Sequence, residues 1–364
     1  MTEATHILDG RTLRVLWTTL IAVTTLAIAV VARKTLIILV FALLFSNLME
    51  PMVSRVQRWM RGKRIRAVAV TYLAFWILIG LLFFVIGSTL VEQGRNFFTK
   101  APQTVQRIQN GEIAKDFGEK HGMSAQTADR VQHWIQSNQD RIQAVVAYFV
   151  AIARKYAVNF IGVLLVPLLA MLFPQDRSRF PIQLVETYAR GNNRAFLSSV
   201  IQDCDRMLAA YMWAQFLLSV FAFIVFMVAL HLLHVPYAVL FTVIASLLEF
   251  IPIVGPLVTA ILILGTVLVT GGNWIGVLIF LGVWRIVQDY VNTPLLFNNQ
   301  LEMHPLVILG AVMIGGEVFG GLGMFLAIPA AAAIRIMWWR YRQLQAQGAD
   351  RDVLHEVDRP LEAA

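Results

Sequence analysis

Apolar residues in this chain are gathered into long blocks rather than spread at the spacing of a soluble helix or strand. Val15–Ala32, Thr35–Met49, Ala67–Leu90, Tyr156–Phe173, Ala210–Leu230 and Asn273–Phe297 carry few charges. Blocks of about 18 residues match a helix that crosses a hydrocarbon layer ~30 Å thick. Two further blocks are interrupted. As one straight helix, Tyr237–Thr270 would measure ~51 Å, while Tyr237–Phe250 alone gives only ~21 Å. The interruption is "LLEFIPIVGPLV", which starts at Leu247 and contains Glu249, Pro252, Gly255 and Pro256. Pro252 removes a backbone donor and pushes the preceding residue out of the helical region. The pattern predicts a re-entrant hairpin entering from outside. The second interrupted block, His304–Trp339, is broken by "GGEVFGGLG", with Gly315, Gly316, Gly320, Gly321 and Gly323 around Glu317. It predicts a second hairpin, entering from inside. The expected fold is all-α: a polytopic integral membrane protein of about eight membrane-embedded segments, two of them broken hairpins.

The polar segments orient these blocks. "SRVQRWMRGKRIR", Ser54–Arg66, holds Lys and Arg but no acid. The positive-inside rule makes this loop cytoplasmic, and the N-terminus with it. A second hairpin that returns to its side of entry leaves Arg335, Arg340 and Arg342 inside too, so the C-terminus is also cytoplasmic. The expected organisation is three spans with the basic loop in residues 1–90, a helical extracytoplasmic insert in 91–145, and a fourth span in 146–173. A cytoplasmic or interfacial amphipathic helix follows in 174–209, then a core with both hairpins in 210–340 and a tail in 341–364.

Composition sharpens this. Of 364 residues, 58% are hydrophobic and 14% charged, where soluble domains carry about 25%. The net charge of +8 sits with the basic loop, which fits membrane topology and gives no reason to expect nucleic acid. The single cysteine, Cys204, excludes an internal disulfide and suits a small buried residue. No P-loop, H-E-x-x-H, C-x-x-C or G-x-S-x-G pattern occurs, so neither ATPase nor hydrolase chemistry is expected. No catalytic residue, cofactor or metal is expected either. His231 and His234 lie three apart, but no acid or cysteine adjoins them, and an interfacial position suits them.

Paired interrupted segments in opposed orientation point to a transport site. Irregular backbone at membrane depth must line a cavity or be buried in protein. Glu249 and Glu317 are therefore expected on a substrate or proton pathway. In Asn273–Phe297 the polar residues Arg285, Gln288, Asp289 and Asn292 fall at i, i+3, i+4 and i+7, on one helical face. Charged groups within a span usually face the bundle interior or water, so this stripe joins the expected pathway. Tyr211, Gln215 and Ser219 form a second stripe, suited to hydrogen bonding between helices. Plainer readings stand beside these: prolines and glycines that only kink a helix, a glutamate facing a vestibule, and an Arg285–Asp289 pair that anchors a helix end.

At these residues the chain resembles the autoinducer-2 exporter family of bacterial permeases. The resemblance spans nearly the whole chain. It rests on "EPMVSRVQRWMRGKRIRAVAV", "YMWAQ", "EFIPIVGP", "QDYVNTPLLFN" and "HPLVILGAVMIGGEVFGGLGMFLAIPAAA". One position departs: the family often has glycine where Ala214 stands. The resemblance implies a multi-pass inner-membrane permease with roles for Glu249, Pro252, Gly255, Pro256, Gln288, Asn292, Pro294, His304, Pro305, Gly316, Gly320, Gly323 and Pro329. It also implies a small-molecule or ion substrate, with export of an autoinducer-2-like signal and cation/proton antiport both open. A non-transporting scaffold built on the insert is the third reading. The lipid membrane is an expected partner, and a homo-oligomer is allowed.

Overall fold

The computed structural model describes residues 10–110, 160–172, 192–251, 253–292 and 303–357, with isolated positions between 130 and 187. Most of the expected insert, together with Pro252 and Pro294, lies outside the described residues. Within them the chain forms ten α-helices and no strand: α1 Gly10–Val31, α2 Arg33–Met60, α3 Arg64–Gln109, α4 Phe160–Ala170, α5 Asn192–Leu232, α6 Ala238–Leu248, α7 Val254–Thr270, α8 Trp274–Val287, α9 Pro305–Phe319 and α10 Gly321–Val357. Five described stretches are long and apolar enough to cross a membrane: Thr35–Met60, Arg64–Lys100, Arg194–Leu232, Trp274–Asn292 and Gly321–Gln345. Large apolar side chains such as Leu73, Leu78, Phe83 and Phe84 stand exposed on α3. Water would penalise such a surface and lipid would not. This is a multi-pass membrane protein.

Two helices run through expected segment boundaries without a break. The third span was expected to end at Leu90, yet α3 runs unbroken to Gln109. At ~69 Å it exceeds any bilayer, so the first part of the expected helical insert continues this helix. Likewise, the amphipathic stripe ending at Ala209 and the fifth span are one helix, because α5 starts at Asn192. The polar-to-apolar change in sequence does not break the helix, since Asp203, Cys204 and Asp205 keep helical hydrogen bonding to their neighbours.

α5 is the spine, touching α2, α6 and α10. One core gathers Leu48, Met49, Val53, Val68, Tyr72, Tyr211 and Ile328 from α2, α3, α5 and α10. A second gathers Phe226, Leu230, Phe241, Ala245, Ile263, Val267 and Trp284 from α5–α8. At the basic end, Arg64 holds both carboxylate oxygens of Glu50, at 3.0 and 2.8 Å, and Arg340 binds Asp203 through Nε at 2.7 Å. The second contact ties α10 to α5. At the far end, the Gln93 side chain on α3 accepts from the Leu240 amide at 3.0 Å. Leu240 lies in the first turn of α6, where amides lack intrahelical partners. Phe97 packs edge-on against Tyr237 and Phe241, both at 5.6 Å.

Candidate functional site

The first interruption is a tight reversal between α6 and α7. Glu249 closes α6, its amide donating to the Ala245 carbonyl at 3.0 Å. Ile253 then takes φ +67°, ψ −55°, a region that a β-branched residue enters only at a cost of ~1–3 kcal/mol. Val254 restarts the helix, and Pro256 falls within its first turn, where a missing N–H costs nothing. Gly255 is fixed by contact: a Cβ there would overlap the Leu248 carbonyl. α7 then runs back beside α6, placing Ile263 and Val267 in one core with Ala245, Phe241 and Ala238. α6 has only 11 residues, or ~16 Å of helix.

Side chains from α5 and α8 hold this tip. The Gln215 amide donates to the Glu249 carbonyl oxygen at 2.6 Å, and the Ser219 hydroxyl donates to the Ser246 carbonyl at 2.7 Å. These satisfy carbonyls at the end of α6, which have no partner within the helix. α8 changes character just where it reaches the acid: Gln288–Asn292 is a π-helical turn, a widening often found at functional sites. Gln288 Nε2 donates to Glu249 Oε1, and Asn292 Nδ2 donates to Gln288 Oε1 at 2.8 Å. Asn292 thus fixes the amide of Gln288, which alone donates to the carboxylate. Both residues are buried, at 4% and 9% exposed.

The predicted stripe on α8 therefore divides. Gln288 and Asn292 turn inward to Glu249, while Arg285 and Asp289 pair at 2.8 Å with side chains about half exposed, 48% and 45%. Arg285 still borders a cavity of about 340 Å³ that Glu249, Thr259, Phe226, Trp284 and Leu257 also line. Sequence reasoning missed Thr259, Phe226 and Trp284. Thr259 lies three residues after Pro256, on one face of α7 with it, and that spacing was the available signal. Among the described residues no cluster of metal-ligating side chains occurs.

The second interruption is built differently. α9 stays helical through Gly315, Gly316 and Glu317, and the chain turns at Gly320, φ +63°, ψ −143°. Of the five glycines, only Gly320 is at the turn with positive φ. Gly315 and Gly323 oppose each other across the hairpin, and a Cβ on either would overlap the other's carbonyl. A Cβ on Gly316 would press into Met324, whereas Gly321 has open space. The N-terminus of α9 follows rule: the His304 Nδ1 accepts from the Leu306 amide at 3.3 Å, and Pro305 takes the first helical position. Glu317 is exposed and makes no contact with the Glu249 cluster among the described residues. What the hairpins share is their meeting point. Phe250, next to Glu249, stacks on Phe325 of α10 at 5.5 Å, and Phe325 meets Phe41 of α2 at 5.0 Å.

The profile of the AI-2E family transporters matches residues 19–343. The chain is 23% identical over 368 aligned residues to YueF of Bacillus subtilis (strain 168), covering 95% of this chain and 98% of that protein. It is 27% identical to YrrI of the same organism over 153 residues, 41% of this chain and 43% of that protein; both are provisionally named transport proteins. A sodium-lithium/proton antiporter of Halobacillus andaensis is 24% identical over 335 residues, 84% of this chain and 91% of that protein. With a match over residues 19–343, nearly all of its length, the chain belongs to the AI-2E transporter family.

Proposed function

We propose that this chain is a secondary permease that moves a small solute across the bacterial inner membrane, with N- and C-termini on the cytoplasmic side. The observation that carries this reading is Glu249: a carboxylate at the tip of a short helix, held by the Gln288 amide that Asn292 fixes in turn, and bordering a cavity. Such a tip is the site pattern of transporters with broken helices. Alternating access would rock the hairpins against each other at the Phe250–Phe325 contact, exposing the Glu249 cavity first to one side and then to the other. Export of a signal of the autoinducer-2 type, and so a part in quorum sensing, is the finer form of this reading; the family name supports it.

A second reading, monovalent cation/proton antiport, is favoured by the relative from Halobacillus andaensis. Both readings use Glu249. In the first it holds solute or a coupling proton; in the second, proton and cation compete for it. Purified protein in vesicles loaded with a pH-sensitive dye distinguishes them. Antiport gives proton movement on addition of Na⁺, Li⁺ or K⁺. Solute permeation gives no cation response, together with a change in extracellular metabolites between deletion and overexpression cells. Vesicles and cells that show neither would overturn the transport reading.

A further inference from the structure

We propose that the Glu249 cavity takes a small organic monocation with an apolar body and a hydrogen-bond acceptor; this rests on reading the cavity as the solute site. Charge at the cavity favours a cation. Arg285 pairs with Asp289 at 2.8 Å, so with Glu249 ionised the three groups leave a net negative charge beside the cavity. Glu249 Oε1 accepts from Gln288, and its Oε2 has no partner among the described residues. An anion would meet that net negative charge.

The cavity wall suits an organic cation. Phe226 and Trp284 line the cavity with their rings 5.5 Å apart and nearly perpendicular. The rest of the lining is largely aliphatic. An organic cation gains from aromatic faces and Trp is the best of them. Among the described residues lining the cavity, Glu249 and Thr259 are the oxygen-bearing side chains, too few by themselves to replace the water of a bare alkali ion. The volume, about 340 Å³, lies at the low end of the range for small-molecule sites, ~300–1,000 Å³.

Thr259 supplies a hydroxyl for the acceptor. On the same helix, Thr266 and Thr270 donate back to the Leu262 and Thr266 carbonyls at 2.8 and 2.9 Å, the usual fate of a helical hydroxyl. Thr259 does not. Its Oγ1 is buried with no hydrogen-bond partner among the described residues, and the residue is 4% exposed. A buried hydroxyl without a partner costs ~1–3 kcal/mol. A ligand acceptor reaching it would recover that cost.

The test is equilibrium binding to the full-length protein in lipid nanodiscs. The probes are benzyltrimethylammonium, its methoxy-substituted analogue, benzyl alcohol, benzoate and lithium chloride. Both ammonium probes bind, and the neutral and anionic probes do not displace them. Glu249→Gln weakens both cations about ten-fold, Trp284→Leu weakens both several-fold, and Thr259→Val weakens only the methoxy analogue. Equal displacement by benzyl alcohol or benzoate overturns the proposal. So does no binding of either cation, or binding that is unchanged in both Glu249→Gln and Thr259→Val. Failure here is separable from failure of the transport reading. Proton movement on lithium addition without ammonium binding removes the ligand class and leaves transport. Ammonium binding without transport in vesicles upholds the ligand class and removes the permease.

Discussion

The two hairpins carry the same sequence signature, an acid beside helix-breaking residues, and the structure gives them different work. In α6–α7 the acid is the residue that ends the helix. Gln215 fixes its carbonyl, and Gln288 fixes its carboxylate. In α9–α10 the acid sits inside a continuous helix, one turn before Gly320, on an exposed face. The contrast teaches that the helical phase of an acid relative to the break decides whether it is captured. Close packing is bought by different means as well. The first hairpin uses a strained Ile253 and one tight glycine, Gly255. The second uses two glycines, Gly315 and Gly323, that let backbone meet backbone.

The largest expected effect that could break this comparison is at that crossing. Gly323→Ala puts a Cβ into the Gly315 carbonyl and should cost ~1–3 kcal/mol as overpacking. Thermal unfolding in detergent should show a clear fall in midpoint, whereas Gly310→Ala, with open space around it, should show none. Equal stability of the two would mean that the helices do not cross there. Next is Gln215→Leu. It leaves the Glu249 carbonyl without its donor at the end of α6, a loss of ~1–3 kcal/mol, and transport should fall with stability; Ser219→Ala, which removes a parallel bond to Ser246, should do less. Gln93→Ala removes a cap supplied from another helix and should cost ~0.5–2 kcal/mol. Hydrogen exchange should quicken in the first turn of α6 and not at α9, whose cap is its own His304. The smallest effect belongs to the half-exposed Arg285–Asp289 pair. Replacing Asp289 by Asn should change stability by less than ~1 kcal/mol.

Much of this architecture was legible in the sequence because membrane helices announce themselves by length and apolarity. The first break was legible for the same reason: Glu249, Pro252 and Pro256 leave ~21 Å of helix before them, which cannot span. The stripe on α8 was legible as a face, but not its division. Sequence spacing assumes a regular helix, and the π-helical turn at Gln288–Asn292 rotates the later residues relative to it. The glycines of the second break were legible as a group; which one turns and which two touch depends on a crossing that only packing sets. Phe226, Trp284 and Thr259 were hidden because aromatic and hydroxyl residues at helical spacing are ordinary in a membrane bundle. Gln93 lay out of reach, being 147 residues from its partner.

The central claim is that the captured acid, and not the exposed one, serves transport. The direct measurement is a side-by-side assay of wild type, Glu249→Gln and Glu317→Gln, purified, reconstituted at equal density and supplied with whichever solute or cation the wild type moves. Transport should fall at least ~ten-fold in Glu249→Gln and stay within about two-fold of wild type in Glu317→Gln. Full activity in Glu249→Gln, or equal loss in both, would contradict it.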